Sequence, residues 1–162
     1  IGGMSQEYRA AYGLARFTRD ASRAARPLID AGLSFSYHNH SFELERFGDR
    51  LGLEILYDDS DPAVVCAEID TYWIQHGGAN PVTWLRRLRD RMKIVHFKDM
   101  AVIDGKPTYA EVGAGNLEWP EIIRACQEAG VEWYLVEQDV CQRDPFESLA
   151  ISLRNLRRLG LR

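Results

Sequence analysis

MKIVHFKD, residues 92–99, is apolar in its first half and then places an imidazole, an ammonium and a carboxylate close together, at His96, Lys98 and Asp99. A short run rich in Met, Ile, Val and Phe reads as a buried strand. Three other segments repeat the pattern. LSFSYHNH (residues 33–40) ends on His38, Asn39 and His40 with Glu43 just beyond, VVCAEID (64–70) ends on Glu68 and Asp70, and WYLVEQD (133–139) ends on Glu137 and Asp139. Four short strands, each turning polar at its C-terminal end, frame the reading of everything between them.

The intervening stretches carry helix signals. Over residues 5–31 the positions Tyr8, Tyr12, Leu14, Ala15, Phe17, Ala21, Ala24, Leu28 and Ile29 recur at near-helical spacing, closed by Gly32. Asn80-Pro81 opens VTWLRRLRDR, because Asn suits the cap and Pro the first turn. Trp119-Pro120 starts EIIRACQEAG, closed by Gly130, and Asp144-Pro145 starts a last helix through Leu159. Residues 48–58 are expected to form a hairpin or short excursion before a helix beginning near Asp59 and Ser60, and residues 104–115 a glycine-rich loop. Ile1-Gly2-Gly3 reads as the end of a strand running into a loop.

Strand and helix therefore alternate, which predicts an α/β fold with a parallel sheet, in a single domain spanning residues 1–162. An open doubly wound sheet gathers its ligand at one switch point, often on a glycine-rich phosphate loop. Here no GxGxxG or GxxxxGK[ST] follows a strand, and all four strands end on candidate ligands. That distribution predicts a (β/α) TIM barrel, whose chemistry sits on the face at the C-terminal ends of its strands. A whole barrel takes eight strands and roughly 250 residues; four strands and a stub at Ile1 in 162 residues predict an incomplete one.

Composition excludes several classes of function. A net charge of -4 with 27% charged residues argues against a polyanion binder, so no nucleic-acid partner is expected. The basic run at residues 154–162 alternates with Leu and reads as a solvated helix face. Cys66, Cys126 and Cys141 are odd in number and far apart, without a CxxC pair, which fits a reducing, cytoplasmic setting. No stretch approaches the roughly 20 apolar residues of a membrane span, and IGGMSQEY lacks the features of a signal peptide, so no membrane partner is expected.

Carboxylates with neutral imidazole suit a hard to borderline divalent cation, Mn²⁺, Mg²⁺, Co²⁺ or Zn²⁺. Each piece also has an ordinary structural reading. His38 and His40 lie two apart on one strand face and could be satisfied core histidines, Asp70 and Glu137 could be helix caps or loop acids, and Glu43 and Glu45 could be a solvent face. Four strands out of four ending this way favours a site.

YHNHSFELE (37–45), EIDTYWIQHGGANP (68–81), VHFKDM (95–100), EVGAGNLEW (111–119) and WYLVEQD (133–139) together resemble the sugar phosphate isomerase/epimerase family. That family has the xylose isomerase-like TIM barrel, a fold shared with endonuclease IV. The resemblance covers nearly the whole chain in order and implies strands five to eight of the family's barrel. It further implies a divalent metal held by Glu, Asp, His and Glu from those strands, roles that Asp70, His96 and Glu137 match for the last three. For the first we assign Glu43, with His38 and His40 as alternatives. Some epimerases have a second His where this chain has Trp73, which suggests a wall stacking on a sugar ring; His38 and His40 would also face substrate, and Lys98 resembles the family's substrate-contacting cation.

The implied activity is isomerisation or epimerisation of a sugar or sugar phosphate by proton abstraction next to a carbonyl, with Glu137 and Glu43 as base and acid. A keto-glycoside lyase or hydrolase and a keto-inositol dehydratase would start with the same step. Endonuclease IV-like chemistry would need more His ligands than the four present and a basic groove. A reading of another class is a truncated, inactive barrel serving as a binding or assembly module, its exposed edges pairing two copies into a homodimer.

Overall fold

The computed structural model describes residues 1–161; Arg162, the last of the basic run, lies outside them. In chain order the regular elements are α1 (Ala11–Asp30), β1 (Ser36–His38), β2 (Arg46–Phe47), β3 (Arg50–Leu51), α2 (Gly52–Asp58), β4 (Cys66–Asp70), α3 (Thr71–His76), α4 (Pro81–Arg87), β5 (Met92–Phe97), β6 (Asp99–Ile103), β7 (Lys106–Ala110), α5 (Trp119–Glu128), β8 (Trp133–Val136) and α6 (Pro145–Arg158). Single 3-10 turns sit at Gln6–Tyr8, Phe42–Leu44 and Arg89–Arg91.

The four strands read from the sequence form one parallel sheet in the order β1-β4-β5-β8. Register sets Ser36 beside Cys66, His38 beside Glu68, Asp70 beside His96, and Phe97 beside Val136. Because side chains alternate across a strand, each strand divides its residues between two faces. Tyr37, Ala67, Ile69, Val95 and Phe97 are fully buried among helix residues such as Leu14, Leu53, Trp84, Ile122 and Cys126. The alternate residues, Ser36, His38, Glu68, Asp70 and His96, share the other face with Trp133 and Leu135 of β8. Those last two are 63% and 43% exposed, so this second face is not covered along β8. At the outer edge of β1, opposite β4, Gly2 bridges His38 in parallel, and the Ile1 carbonyl accepts from His38 N–H at 2.9 Å. Where a strand end was expected, the chain makes this single bridge and no strand.

Local chemistry accounts for the differences from expectation. The first helix breaks after Tyr8 and resumes at Ala11, and Tyr12 stands 94% exposed rather than on the buried face. The expected short excursion exists as the β2–β3 hairpin, but helix α2 follows it at once and ends at Asp58 instead of starting near Asp59 and Ser60. Leu53, Leu56 and Tyr57 are spaced to bury one face of that helix. The segment expected to be a glycine-rich loop begins as the β6–β7 hairpin. Asp104 (φ 50°) and Gly105 (φ 73°) supply the two left-handed positions of a type I′ turn, the strongest short-range hairpin signal.

A chemical probe follows from the burial. Cys126 is wholly buried on α5, which pushes its thiol up to about 12, whereas Cys66 and Cys141 are partly accessible. Titration of the native chain with a colorimetric disulfide reagent is expected to label Cys66 and Cys141 well before Cys126, all three reacting alike in urea. Equal native rates would show that α5 does not pack as described.

Candidate metal centre

The polar ends of the four parallel strands converge. His38, Asp70, His96 and Glu137 each bring one ligand atom within 4.8 Å of every other, a group that could hold a metal ion. His38 Nε2 lies 3.2 Å from Asp70 Oδ2, and the two imidazoles stack with centroids 4.3 Å apart. Asp70 does double duty. Its Oδ1 accepts from Trp73 N–H at 2.9 Å and caps α3, while Oδ2 faces the cluster. The helix cap and the cluster therefore use different oxygens of one carboxylate.

Buried polar groups fix the strand ends behind the cluster. Asn39, wholly buried, accepts from Asp70 N–H through Oδ1 at 3.0 Å and ties β1 to β4. The Thr71 hydroxyl donates to the Lys98 carbonyl at 2.8 Å and accepts from Lys98 N–H at 3.0 Å, which ties β4 to β5. His96 Nε2 lies 2.8 Å from Glu68 Oε1, and Glu68 in turn accepts from the Ser36 hydroxyl.

The charges are strongly coupled. Burial alone would lower the His96 pKa, but Glu137 and Glu68 outweigh it and raise it to about 9. His96, helped by Lys98, holds Glu137 at about 2, and His96 with Ser36 does the same for Glu68. The Lys98 side chain is 1% exposed, 2.9 Å from Glu137 Oε2 and 2.5 Å from Asp139 Oδ2, so these acids raise its pKa against the cost of burial. The rings of Trp73 and Tyr109 lie 5.1 Å from its ammonium.

Of the residues expected to build the site, Asp70, His96 and Glu137 meet, and the member contributed by the first strand is His38. Glu43 is not in the group. The 3-10 turn at Phe42–Leu44 carries its carboxylate back beneath the sheet, 1% exposed, where it accepts from the Tyr37 hydroxyl at 2.5 Å and from His40 N–H at 2.9 Å. His40 and Trp73 stand beside the cluster with ring centroids 5.2 Å apart, and both line a cavity of about 620 Å³ bounded also by Gly2, Gly3 and Arg9. Asp99, also at a strand end, turns away from the cluster and binds the loop leading to α5. Sequence reading did not foresee Glu68 as the partner of His96, although its place two residues before Asp70 puts both on one face.

Burial raises the Glu43 pKa despite its two hydrogen bonds. A raised carboxylate binds its proton more tightly in the folded than in the unfolded chain, so stability falls as pH rises from the ordinary carboxylate value, about 4.3, through the folded one. Glu43→Gln keeps an acceptor for His40 N–H and removes this titration. The stability advantage of the variant, read from urea midpoints, is expected to widen as pH rises from about 4.3 toward neutrality. A constant difference would refute the assignment.

Two curated relatives are inosose dehydratases. That of Lacticaseibacillus casei is 28% identical over 143 residues, covering 64% of this chain and 48% of the relative. That of Clostridium beijerinckii is 28% identical over 138 residues, covering 73% and 45%. Among solved structures, a sugar phosphate isomerase/epimerase from Parabacteroides distasonis superposes with TM-score 0.75 at 26% identity, over 90% of this chain and 52% of its own. A D-tagatose 3-epimerase-like protein shares the fold with TM-score 0.70 at 19% identity, over 99% of this chain and 62% of its own. No protein-family model matches the chain. The chain spans about half the length of the curated relatives it matches. None of its described helices is long and apolar enough to cross a membrane.

Proposed function

We propose that residues 1–162 form one domain, the metal-binding half of a xylose isomerase-like barrel, and that the barrel moves a proton next to the carbonyl of a keto-sugar or keto-inositol. The observation that carries the reading is the meeting of His38, Asp70, His96 and Glu137 from four successive parallel strands. The donor set of two imidazoles and two carboxylates suits Mn²⁺, Co²⁺, Mg²⁺ or Zn²⁺. Among the described residues, the buried His96 Nδ1 has no hydrogen-bond partner. It lies 3.5 Å from Glu137 Oε2, too far for a bond of ordinary geometry, as expected of an atom whose partner is a cation. Exposure of Trp133 and Leu135 beside the edge of β8, unpaired among the described residues, supports the incomplete barrel. It also leaves room for the exposed edges to pair with further βα units or with a second copy.

When bound, the metal would supply charge stabilisation to the enediolate that forms on loss of a proton next to a carbonyl. Glu137, ionised and held by Lys98, is the carboxylate placed to take the proton. Lys98, kept charged by Asp139, is placed to donate a hydrogen bond to a substrate oxygen. His40 and Trp73 offer ring faces to an apolar side of a sugar ring. Buried beneath the sheet, Glu43 is a brace for Tyr37 and His40 rather than the acid of the reaction. Relatives that are inosose dehydratases support a second outcome from the same proton abstraction, loss of water.

The test is metal-dependent deuterium uptake from solvent by keto-sugars and keto-inositols, with product mass to separate epimerisation from water loss. Glu137→Gln in a complete barrel is expected to reduce uptake by about 100-fold or more, the usual weight of a positioned acid or base. Undiminished uptake would sink the role of Glu137.

A further inference from the structure

Glu68 and Ser36 occupy a layer of the inner sheet face where barrels ordinarily carry branched apolar side chains. Along a strand, residues two apart point the same way and lie about 7 Å from one another. Glu68 is therefore one step below Asp70, and Ser36 one step below His38, beneath the four candidate ligands and not among them. A carboxylate and a hydroxyl in that layer carry a desolvation cost that ordinary packing does not require. Both oxygens of Glu68 are committed. Oε1 faces His96 Nε2 at 2.8 Å, Oε2 accepts from Ser36, and the carboxylate is only 14% exposed.

Taking the proposed metal centre as its basis, we propose that Glu68, steadied by Ser36, is a positioning residue that fixes the proton of His96 on Nε2 and leaves Nδ1 as the atom that ligates the metal. The orphaned His96 Nδ1 is the independent observation, because it is the nitrogen turned away from Glu68 and toward Glu137. In the neutral ring that a metal requires, one nitrogen carries the proton and the other offers the lone pair, so a proton held on Nε2 by an acceptor frees Nδ1. A carboxylate behind a metal-bound imidazole fixes the tautomer and ring orientation and increases the basicity of the ligating nitrogen; losing such a partner typically costs 10- to 100-fold in metal affinity. Ser36 removes one of the two rotational choices of the Glu68 carboxylate and acts more weakly, through Glu68.

The experiment uses the chain as it stands, with Co²⁺ titrated by calorimetry and followed by its visible absorption, and with Zn²⁺ for imidazole ¹⁵N shifts. Wild type is expected to bind with His96 Nδ1 shifted by the metal and Nε2 protonated. Glu68→Ala is expected to lose about 10- to 100-fold in affinity. Glu68→Gln, which keeps an acceptor and nearly the same shape but not the charge, should lose less, and Ser36→Ala least. Affinities of both Glu68 variants within twofold of wild type would overturn the inference while leaving the metal centre standing. So would ¹⁵N shifts that place the metal on Nε2. Failure of wild type to bind either cation would overturn the metal centre and this inference together. If Glu68→Ala does not fold, as circular dichroism would show, Glu68→Gln and the wild-type ¹⁵N shifts decide the matter.

Discussion

Replacing Asp99 by Ala lowers the unfolding free energy by about 3–5 kcal/mol, the range for removing one member of a buried charged hydrogen-bond network. Asp99 is wholly buried and accepts from five donors. Oδ1 takes Met100 N–H at 2.8 Å and Leu117 N–H at 3.3 Å; Oδ2 takes Gly113 N–H at 2.9 Å, Gly115 N–H at 3.0 Å and the Trp119 indole N–H at 2.6 Å. This single side chain closes the loop that returns the β6–β7 hairpin to the start of α5, and it does so across up to 20 residues of sequence. Asn is no substitute, because its amide would set donors against the three that now meet Oδ2. Gly115 cannot be exchanged freely either, since a Cβ there would run into the Asp99 carboxylate and the Met100 carbonyl. Urea denaturation of Asp99→Ala and Asp99→Asn checks the claim, and losses under about 1 kcal/mol, the size of one ordinary hydrogen bond, would contradict it.

Asp99 also shows what sequence could and could not convey. In MKIVHFKD it is one more polar residue at a strand end, indistinguishable by type from its neighbours. Its role depends on donors from Gly113, Gly115 and Leu117, backbone groups that no side-chain pattern reports. The four strands, by contrast, were legible because alternation writes both faces into the chain: Ile69, Val95 and Phe97 meet the helices while Asp70 and His96 face inward. Alternation left many strand-end polar residues as candidates, and it was the resemblance to the sugar phosphate isomerase/epimerase family that singled out Asp70, His96 and Glu137 as a set. Glu43 was beyond that logic. It lies past the end of β1, in a 3-10 turn whose direction has no periodic signature, and burial against Tyr37 rather than strand alternation decides where its carboxylate goes. Helix α3 escaped notice because its six residues are too few for a period to emerge and its cap, Asp70, reads equally well as a ligand.

The choice between Glu43 and His38 has a sharp consequence. His38→Ala is expected to weaken Co²⁺ or Zn²⁺ binding by about 100-fold or more: tight four-ligand zinc sites yield roughly 10–16 kcal/mol, near 3 kcal/mol per ligand. Glu43→Gln, removing a carboxylate that faces Tyr37 and His40 instead of the cluster, is expected to change affinity by only a few-fold. The two residues sit five positions apart, yet their side chains are on opposite sides of the β1 terminus, one stacked on His96 at 4.3 Å and the other sealed under the sheet. His38→Gln adds a further control, since a neutral amide can keep a contact to Asp70 without a nitrogen lone pair for a cation. Calorimetric titration of the three variants would reverse the assignment if Glu43→Gln lost the greater share, because then the carboxylate would have to swing out from Tyr37 to ligate. It would leave His38 in place if the loss followed the imidazole, and with it the picture of a site built wholly from the ends of parallel strands.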